Sequence, residues 1–214
     1  MSTEFEEKIK EFIAAGNIVE GRPTRVAGKF ELVYLKGKNS KIIFGNGSVL
    51  NSVSINMEQG DGNLHFGEDT YIRGRYFVGA QSTIAIGNKT AMNRHSLFVA
   101  TEKASITIGN GCLISDISMS TTDWHSIIDD ESGKRINPAK DIIIEDSVWL
   151  GEAVTIQKGI TIGKNSIIGA KALVTKPIPP GSLVVGMPAK IIRSGVRWQR
   201  ELIPMDSLPA ANYE

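Results

Sequence analysis

Aliphatic residues recur at every sixth position through the C-terminal half of the chain. The series runs Ile144, Leu150, Ile156, Ile162, Ile168 and Val174, and a second series precedes it by two residues at Val148, Val154, Ile160, Ser166 and Ala172. An α-helix repeats about every 3.6 residues and an ordinary strand about every two, so neither explains this period. The period predicts an all-β fold of hexapeptide repeats, a parallel β-helix in which short strands coil around one stacked core.

The repeat is weaker in the N-terminal half and changes phase there. It begins at Phe44-Gly45-Asn46-Gly47, shifts by two residues at Ile86 and shifts again at Ile108. Each shift indicates an irregular corner between strands. Glycine and asparagine follow the aliphatic position, which suggests corners that need positive φ. Residues 17–40 show no clear period, so we expect the β-helix to span residues 41–193.

One long segment interrupts the repeat. Residues 121–140, TTDWHSIIDDESGKRINPAK, are polar and charged, and hexads resume at Ile142. A coil tolerates an insertion only where the chain leaves the stack, so this segment is predicted to be an extruded loop. Pro177, Pro179 and Pro180 then end the regular repeat, because proline cannot donate to a strand ladder.

The two ends of the chain differ from the repeat. Phe5, Ile9, Phe12 and Ile13 fall on one face of a helix, so residues 3–15 are predicted to form a short amphipathic helix within an N-terminal unit, residues 1–40. We expect that helix to pack on the domain or on a neighbouring subunit.

A C-terminal tail, residues 194–214, follows the predicted β-helix. Within it, residues 196–202 are expected to form a last helix and residues 207–214 a loose end.

The composition of the chain limits the classes of partner that we expect. The 214 residues carry 24 basic and 23 acidic side chains, a net charge of +1, without a basic stripe, so nucleic acid is not expected as a partner. We expect no membrane span, because no 18-residue apolar stretch is present. The glutamate-rich first residues contain no apolar run, so we expect a cytoplasmic protein.

Few residues offer reactive chemistry. Cys112, the one cysteine, occupies a hexad position where a small buried residue is expected, so it is interpreted as core. His65, His95 and His125 are evenly spaced, but three hexads make one coil, so the three fall on different faces. They therefore cannot converge on one ion, and no metal site is predicted.

Two positions, His125 and Trp149, are candidates for a functional role. His125 lies beside Trp124 in the extruded loop, where an imidazole is either a solvated residue or a general base. Trp149 lies between inward-pointing Val148 and Leu150, so it must point outward. It either packs against the loop or a neighbouring subunit, or forms the wall of a ligand cleft. Lys176, Lys190 and Arg193 form a loose basic group beyond the last regular coil.

These features together resemble the hexapeptide-repeat acyltransferases. The resemblance rests on the hexads, on Asp123-Trp124-His125, on Val148-Trp149-Leu150-Gly151 and on the Thr-Lys, Pro-Pro-Gly and Gly-Met-Pro-Ala-Lys runs between Val174 and Lys190. Residues 44–193 carry it. Within the family the chain is most similar to capsular polysaccharide and sialic-acid O-acetyltransferases, and also to galactoside and maltose O-acetyltransferases.

The resemblance implies a left-handed coil, acetyl-CoA as co-substrate and a homotrimer whose sites lie between subunits. The implied roles are His125 as catalytic base, the backbone N–H of Glu152 at the oxyanion, Trp149, Trp124, Asn93 and His95 at the acceptor, and Trp149, Gly151, Ala170, Thr175, Lys176, Lys190 and Arg193 along acetyl-CoA. The Asn-Arg-His run at residues 93–95 departs from the family's simpler pattern.

The expected activity is transfer of acetyl from acetyl-CoA to a hydroxyl of a sugar or polysaccharide, by direct attack with a histidine base. Two alternatives remain open from the sequence. One is an acyltransferase for another acceptor, such as serine, an antibiotic or the amine of a nucleotide sugar. The other is a non-catalytic β-helix scaffold.

Overall fold

The chain forms a stack of parallel coils preceded by one helix, as seen in a computed structural model that describes residues 3–34 and 37–204. Helix α1 spans Thr3–Ala14. The strands are β1 (Ile18–Gly21), β2 (Arg25–Val33), β3 (Lys41–Phe44), β4 (Val49–Asn56), β5 (Asn63–Phe66), β6 (Tyr71–Val78), β7 (Thr83–Ile86), β8 (Ala91–Met92), β9 (Leu97–Ala100), β10 (Ser105–Ile108), β11 (Leu113–Ile114), β12 (Ile117–Ser120), β13 (Ile142–Ile144), β14 (Trp149–Leu150), β15 (Val154–Ile156), β16 (Thr161–Ile162), β17 (Ile167–Ile168), β18 (Leu173–Val174), β19 (Ser182–Val185) and β20 (Lys190–Ser194).

The strands line three faces of the stack. The first face is a parallel seven-stranded sheet in the order β1-β3-β5-β7-β10-β13-β16. The second face contains β8, β11, β14, β17 and β19, and the third contains β9, β12, β15 and β18. The long strands β2, β4 and β6 turn the corner between these two faces, where their register shifts. Strand β20 pairs antiparallel with β19 and ends the stack.

Both predicted series of inward residues form the core. Every member of the two series is buried, with at most 4% of its surface exposed. Parallel pairing places equivalent residues of successive coils directly above one another, for example Ile114 on Leu150 and Leu150 on Ile168. The expected hexapeptide core is therefore confirmed.

The N-terminal coils have an aromatic core instead. Phe44 stacks on Phe66 at 5.8 Å, Phe66 meets Tyr76 edge-on at 5.2 Å, and Tyr76 stacks on Phe98 at 4.9 Å between ring centroids. The early coils are also longer than the C-terminal ones, in which equivalent residues such as Leu150 and Ile168 lie 18 positions apart. Equivalent residues in the early coils lie 20 to 22 positions apart, as in the bonds from Glu68 to Asn88 and from Asn88 to Asn110.

The coil begins earlier than residue 41. Strand β1 pairs in parallel with β3, and β2 pairs in parallel with β4, so residues 18–33 form the first coil. The expected boundary at residue 40 is wrong in this respect. The longer strands and the bend in β2 after Ala27 remove the hexad period there, which is why the sequence shows none.

The recurrent glycine after the aliphatic position also has a different cause from the one expected. At Gly45 an added Cβ would lie 2.4 Å from the backbone of Gly67, and at Gly87 it would lie 2.6 Å from the backbone of Gly109. Neither of these two glycines has positive φ. Close approach of successive coils therefore selects glycine, while positive φ falls two residues later, for example at Lys89.

Helix α1 is confirmed, and it packs on its own chain. Phe5 contacts the rings of Phe30 and Phe44 at centroid distances of 4.7 and 6.0 Å, so the helix covers the N-terminal end of the core. Ile9 and Phe12 are buried beside it. Ile13 was expected on the buried face but is 42% exposed, because three residues already fill the narrow contact.

The expected C-terminal helix over residues 196–202 is wrong. This segment is irregular and runs back along the corner before the second face. Trp198 donates its Nε1–H to the carbonyl of Ser147 at 2.6 Å, and Arg200 donates to the carbonyl of Lys89 at 3.1 Å. Bonds to successive coils thus replace those of a helix. The expected loose end, residues 207–214, lies outside the described residues.

No helix within residues 3–34 and 37–204 is long and apolar enough to cross a membrane.

Replacing Ile162 by Asp should prevent folding. Ile162 is fully buried between coils, so the variant would bury a charge without a partner, and the cost is a large part of the ~5–15 kcal/mol by which a domain is stable. Circular dichroism and solubility measure the outcome. The neighbouring half-buried Thr161 points outward, so Thr161→Asp is the matched control and should fold; a folded Ile162→Asp protein would contradict the assigned core.

Candidate active site

The extruded loop, residues 121–140, is held in shape by one buried asparagine. Asn137 is only 7% exposed, and its side-chain amide donates to the carbonyl of His125 and to Asp123 Oδ2, both at 2.8 Å. Its Oδ1 accepts from the backbone N–H of Ile127 at 2.8 Å. One side chain therefore fixes three points of the loop around His125.

A bidentate ion pair ties the loop to the coil. Arg135 donates to both carboxylate oxygens of Glu102, at 2.6 and 3.1 Å, and to the carbonyl of Asn137 at 3.1 Å. The Thr122 hydroxyl also donates to Glu102. The Arg135 guanidinium, followed by Thr122, holds the pKa of the Glu102 carboxyl below its usual range. The charged form of this anchor therefore persists into acidic solution.

A second ion pair supports the start of the loop. Lys158, on the coil after β15, donates to Asp123 Oδ2 and to the carbonyl of Asn137, the latter at 3.2 Å. Lys158 and then Asn137 lower the pKa of Asp123, so this carboxylate stays charged. Asp123 thereby connects the coil, Asn137 and the residue pair that follows it, Trp124 and His125.

His125 and Trp124 both face solvent. The His125 backbone is fixed by its N–H bond to the carbonyl of Asp123 at 2.8 Å and by Asn137, while its imidazole is exposed. Trp124 has a φ of 64°, a conformation rare outside glycine, and its side chain is 59% exposed. A strained backbone with two exposed rings near the start of an anchored loop is typical of a binding or reacting position.

Trp149 points outward from the second face, as predicted. It lies in β14 between Leu113 and Ile167 of the neighbouring coils and is 41% exposed. The C-terminal segment packs beside it, with the Trp198 and Trp149 ring centroids 6.1 Å apart. The loop with His125 leaves from the third face, so one chain places His125 and Trp149 on different sides of the coil.

A corner after β14 offers unbonded backbone donors. Gly151 approaches Ala170 so closely that a Cβ at Gly151 would lie 2.8 Å from the Ala170 nitrogen. The carbonyl of Glu152 accepts from the N–H of Lys171 at 2.7 Å. Within the described residues, the N–H groups of Glu152 and Ala170 donate to no protein acceptor. Two adjacent free donors suit a carbonyl or an oxyanion.

Asn93 and His95 lie on the exposed corner between β8 and β9. The carbonyl of Asn93 accepts from Arg73 at 2.8 Å, and His95 lines a shallow cavity with Asp116 and Ala153. Arg94 pairs with Glu152 at 3.0 Å. The structure thus brings the Asn-Arg-His run next to the corner that carries the free donors.

The predicted basic group lies at the C-terminal end of the stack. Thr175 and Lys176 follow β18, while Lys190 and Arg193 lie on β20. The N–H of Ala189 donates to the carbonyl of Leu173 at 2.9 Å, which brings Lys190 alongside β18. Among the described residues, these three cations have no ion-pair partner within 4.0 Å.

Other candidate groups play no part in this arrangement. Cys112 is buried, and burial raises the pKa of its thiol to about 11. His65 lies on the outside of the first face in β5. No group of three histidine, cysteine, aspartate or glutamate side chains converges within the part of the chain that the structure describes.

Sequence reasoning missed the anchoring residues Asn137, Arg135, Glu102 and Lys158. An asparagine in a polar loop carries no sign of burial, and the partners of Arg135 and Lys158 lie more than thirty residues away. The one sign of such anchoring in the sequence was the large number of charged residues in the loop.

The chain is similar in sequence to several known proteins. A family profile described as bacterial transferase hexapeptide (six repeats) matches residues 141–176. A polysialic acid O-acetyltransferase of Neisseria meningitidis is 32% identical over 169 residues, which is 78% of this chain and 78% of that protein. Another, from Escherichia coli O1:K1 / APEC, is 37% identical over 134 residues, 62% of this chain but only 43% of the relative's length.

A solved structure resembles the whole coil. The crystal structure of the polySia-specific acetyltransferase NeuO superposes with a TM-score of 0.67 at 30% identity, covering 88% of this chain and 90% of that one. The expected fold class, a left-handed parallel β-helix with a short N-terminal helix and an extruded loop, is confirmed.

Replacing Asn137 by Ala should loosen the loop without unfolding the coil. The variant removes two donors and one acceptor that fix the loop, while the aliphatic stack is untouched. Hydrogen exchange should accelerate across residues 123–137 and stay unchanged in β13–β18. Ser126→Ala, an exposed change in the same loop, is the control; equal exchange in both variants would contradict the anchoring role.

Proposed function

This chain belongs to the hexapeptide-repeat acyltransferase family, and on this premise we propose that it is an acetyl-CoA-dependent O-acetyltransferase acting on a hydroxyl of a sugar or polysaccharide. The observation that carries the proposal is an exposed histidine fixed on an anchored loop. Relatives named for polysialic acid support a sugar acceptor. A cytoplasmic location completes the proposal, because acetyl-CoA is a cytoplasmic metabolite.

His125 is the general base of the proposed reaction. Its imidazole takes the proton of the acceptor hydroxyl while the oxygen attacks the thioester carbonyl of acetyl-CoA. The C–S bond then breaks, and the thiolate of CoA receives the proton, so an acetyl ester and free CoA are formed. The Asn137 and Asp123 contacts orient the loop, which keeps the imidazole within reach of the acceptor.

The oxyanion is assigned to the Glu152 corner. Within the described residues the Glu152 N–H has no protein acceptor, and a donor that is already fixed in place stabilises developing negative charge without reorganisation. The adjacent Ala170 N–H and the close approach at Gly151 suit the amide-bearing arm of acetyl-CoA.

The remaining cofactor contacts follow the coil axis. Trp149 forms the wall beside the reacting end, and Thr175, Lys176, Lys190 and Arg193 lie towards the phosphate end. Unpaired cations at the end of the stack match the charge of phosphates.

Direct transfer is favoured over an acyl-enzyme. The one cysteine, Cys112, is buried, and its thiol pKa of about 11 leaves almost no thiolate at neutral pH. Its sulfur also lies 3.3 Å from the carbonyl oxygen of Glu145, inside the coil. No nucleophile on the protein is required when the acceptor hydroxyl is itself activated.

We assign the complete site to two subunits of a homotrimer. A single chain carries His125 on the loop beyond the third face and Trp149 on the second face. A neighbouring subunit in a closed ring would bring the loop of one chain to the second face of the next. Each trimer would then hold three equivalent shared sites.

Replacing His125 by Ala should lower kcat by about 10²–10⁴, the usual effect of removing a positioned base. Acetyl-CoA binding, measured by calorimetry, should survive because His125 lies outside the assigned cofactor contacts. The control is His65→Ala, an exposed histidine on another face, which should keep full activity. Full activity of His125→Ala, or loss of wild-type activity after exhaustive chelation, would contradict this mechanism.

Mixed trimers should recover activity if sites are shared. Ala170→Trp fills the cofactor groove on one chain, and His125→Ala removes the base on the other, so some mixed trimers contain one intact pair of halves. After dissociation and reassembly, activity should exceed that of either parent.

Mixing His125→Ala with the double variant His125→Ala/Ala170→Trp is the matched control and should stay inactive. A monomer by light scattering, or no recovery despite proven subunit exchange, would rule out the shared site.

A further inference from the structure

A row of outward side chains crosses the third face beside the His125 loop. Asn56, Phe77, Val99 and Ser120 lie in register on β4, β6, β9 and β12; Phe77 is 37% exposed, whereas Val99 is buried with 4% of its surface exposed. Neighbouring strands lie about 4.8 Å apart, so the row is about 14 Å long. That length accommodates several linked sugar residues rather than one.

Three adjoining cavities lie beside this row, and we call them together the groove. Cavities of about 40 and 370 Å³ share Gln59, Thr101 and Trp124, and the larger shares Thr122 with a third cavity of about 220 Å³ beside Lys158. The groove therefore passes the base of the loop and continues towards the N-terminal coils, beginning next to the residue that precedes His125.

Two exposed rings stand over the groove. Phe77, 37% exposed, and Trp124 meet edge to face with ring centroids 6.0 Å apart at 83°. The left-handed backbone at Trp124 is held by its N–H bond to Thr122 Oγ1 at 3.2 Å. The fold therefore maintains a strained conformation that presents an indole to solvent, which a loop without a ligand would not require.

The polar lining matches uncharged hydroxyl groups. Asn56 and Gln59 use their side-chain oxygens to accept from the Glu58 and Ala80 backbone N–H groups, and within the described residues their NH₂ groups donate to no protein acceptor. The cations Arg135 and Lys158 are already paired with Glu102 and Asp123. Rings, free donors and balanced charge are the groups that recognise the apolar faces and hydroxyl rims of sugars.

We propose that this groove binds the sugar residues next to the one that is acetylated, so that the preferred acceptor is an extended glycan. The inference rests on the proposed function. Phe77 and Trp124 contact the neighbouring sugar rings, and Asn56 and Gln59 donate to their hydroxyls.

Acetylation kinetics along two acceptor series test the groove. The probes are maltooligosaccharides and α-2,8-linked oligosialic acids, each with one to six sugar units. Wild-type kcat/KM should rise with length for any series that is acetylated. Phe77→Ala should lose that rise, with kcat/KM for the longest acceptor falling about fivefold to tenfold, the usual effect of removing an interface aromatic.

Two further variants separate recognition from stability. Phe77→Tyr keeps the ring and should keep the length dependence. Ile143→Ala, which shortens an exposed side chain on the first face, should behave as wild type. Equal kcat/KM at every length in the wild type, or an unchanged rise in Phe77→Ala, would overturn the proposal. So would burial of Phe77 beneath a neighbouring subunit in the assembled protein.

Direct binding distinguishes this proposal from the proposed function. If no oligosaccharide is acetylated, the proposed function fails on these acceptors, and calorimetric titration with the same two series judges the groove alone. Binding that strengthens with length and weakens in Phe77→Ala supports the groove. Absence of binding in the wild type overturns it.

Discussion

The stacking of equivalent residues in successive coils is the constraint on which the whole structure depends. Parallel hydrogen bonding fixes Leu150 over Ile114 and under Ile168, so each inward position must be apolar and of matching size. Glycine at the corners permits the close approach that this stacking needs. Side-chain hydrogen bonds also connect the corners of successive coils. For example, the Asp146 carboxylate accepts from the N–H of Asn110 at 2.6 Å. The stack has two open ends: α1 covers the N-terminal one, and β20 extends the last coil by pairing with β19.

The rigid coil explains how a loop without regular structure can hold His125 in a fixed position. The loop around His125 has no regular structure of its own, yet Arg135 bonds to Glu102 of the coil, and Asp123 and the carbonyl of Asn137 both accept from Lys158 of the coil. The ion pairs are partly exposed and individually weak. The buried amide of Asn137 matters more, because an unmet hydrogen bond there costs more than the loss of a surface charge.

The proposed site residues lie on two sides of one chain, and the proposal therefore links catalysis to assembly. A coil that buries its aliphatic residues inside must place reactive groups on corners, loops and outward positions, which in one chain face different directions. His125 and Trp149 illustrate this separation. In the proposed homotrimer, a ring of identical chains would bring such positions together without any change in the coil, so the proposed activity would depend on assembly.

The sequence by itself determined the inward ladder, the extruded loop and the N-terminal helix, because period and polarity are local properties that repeat along the chain. It also placed Trp149 outside the coil. Tertiary structure decided the first coil at residues 18–33, the extended course of Trp198 and Arg200, and the burial of Asn137. These depend on partners far away in the chain: strands and carbonyls on other coils, and polar groups across the loop. The identity of one residue does not indicate which distant group it will contact, so only the folded coil reveals these contacts.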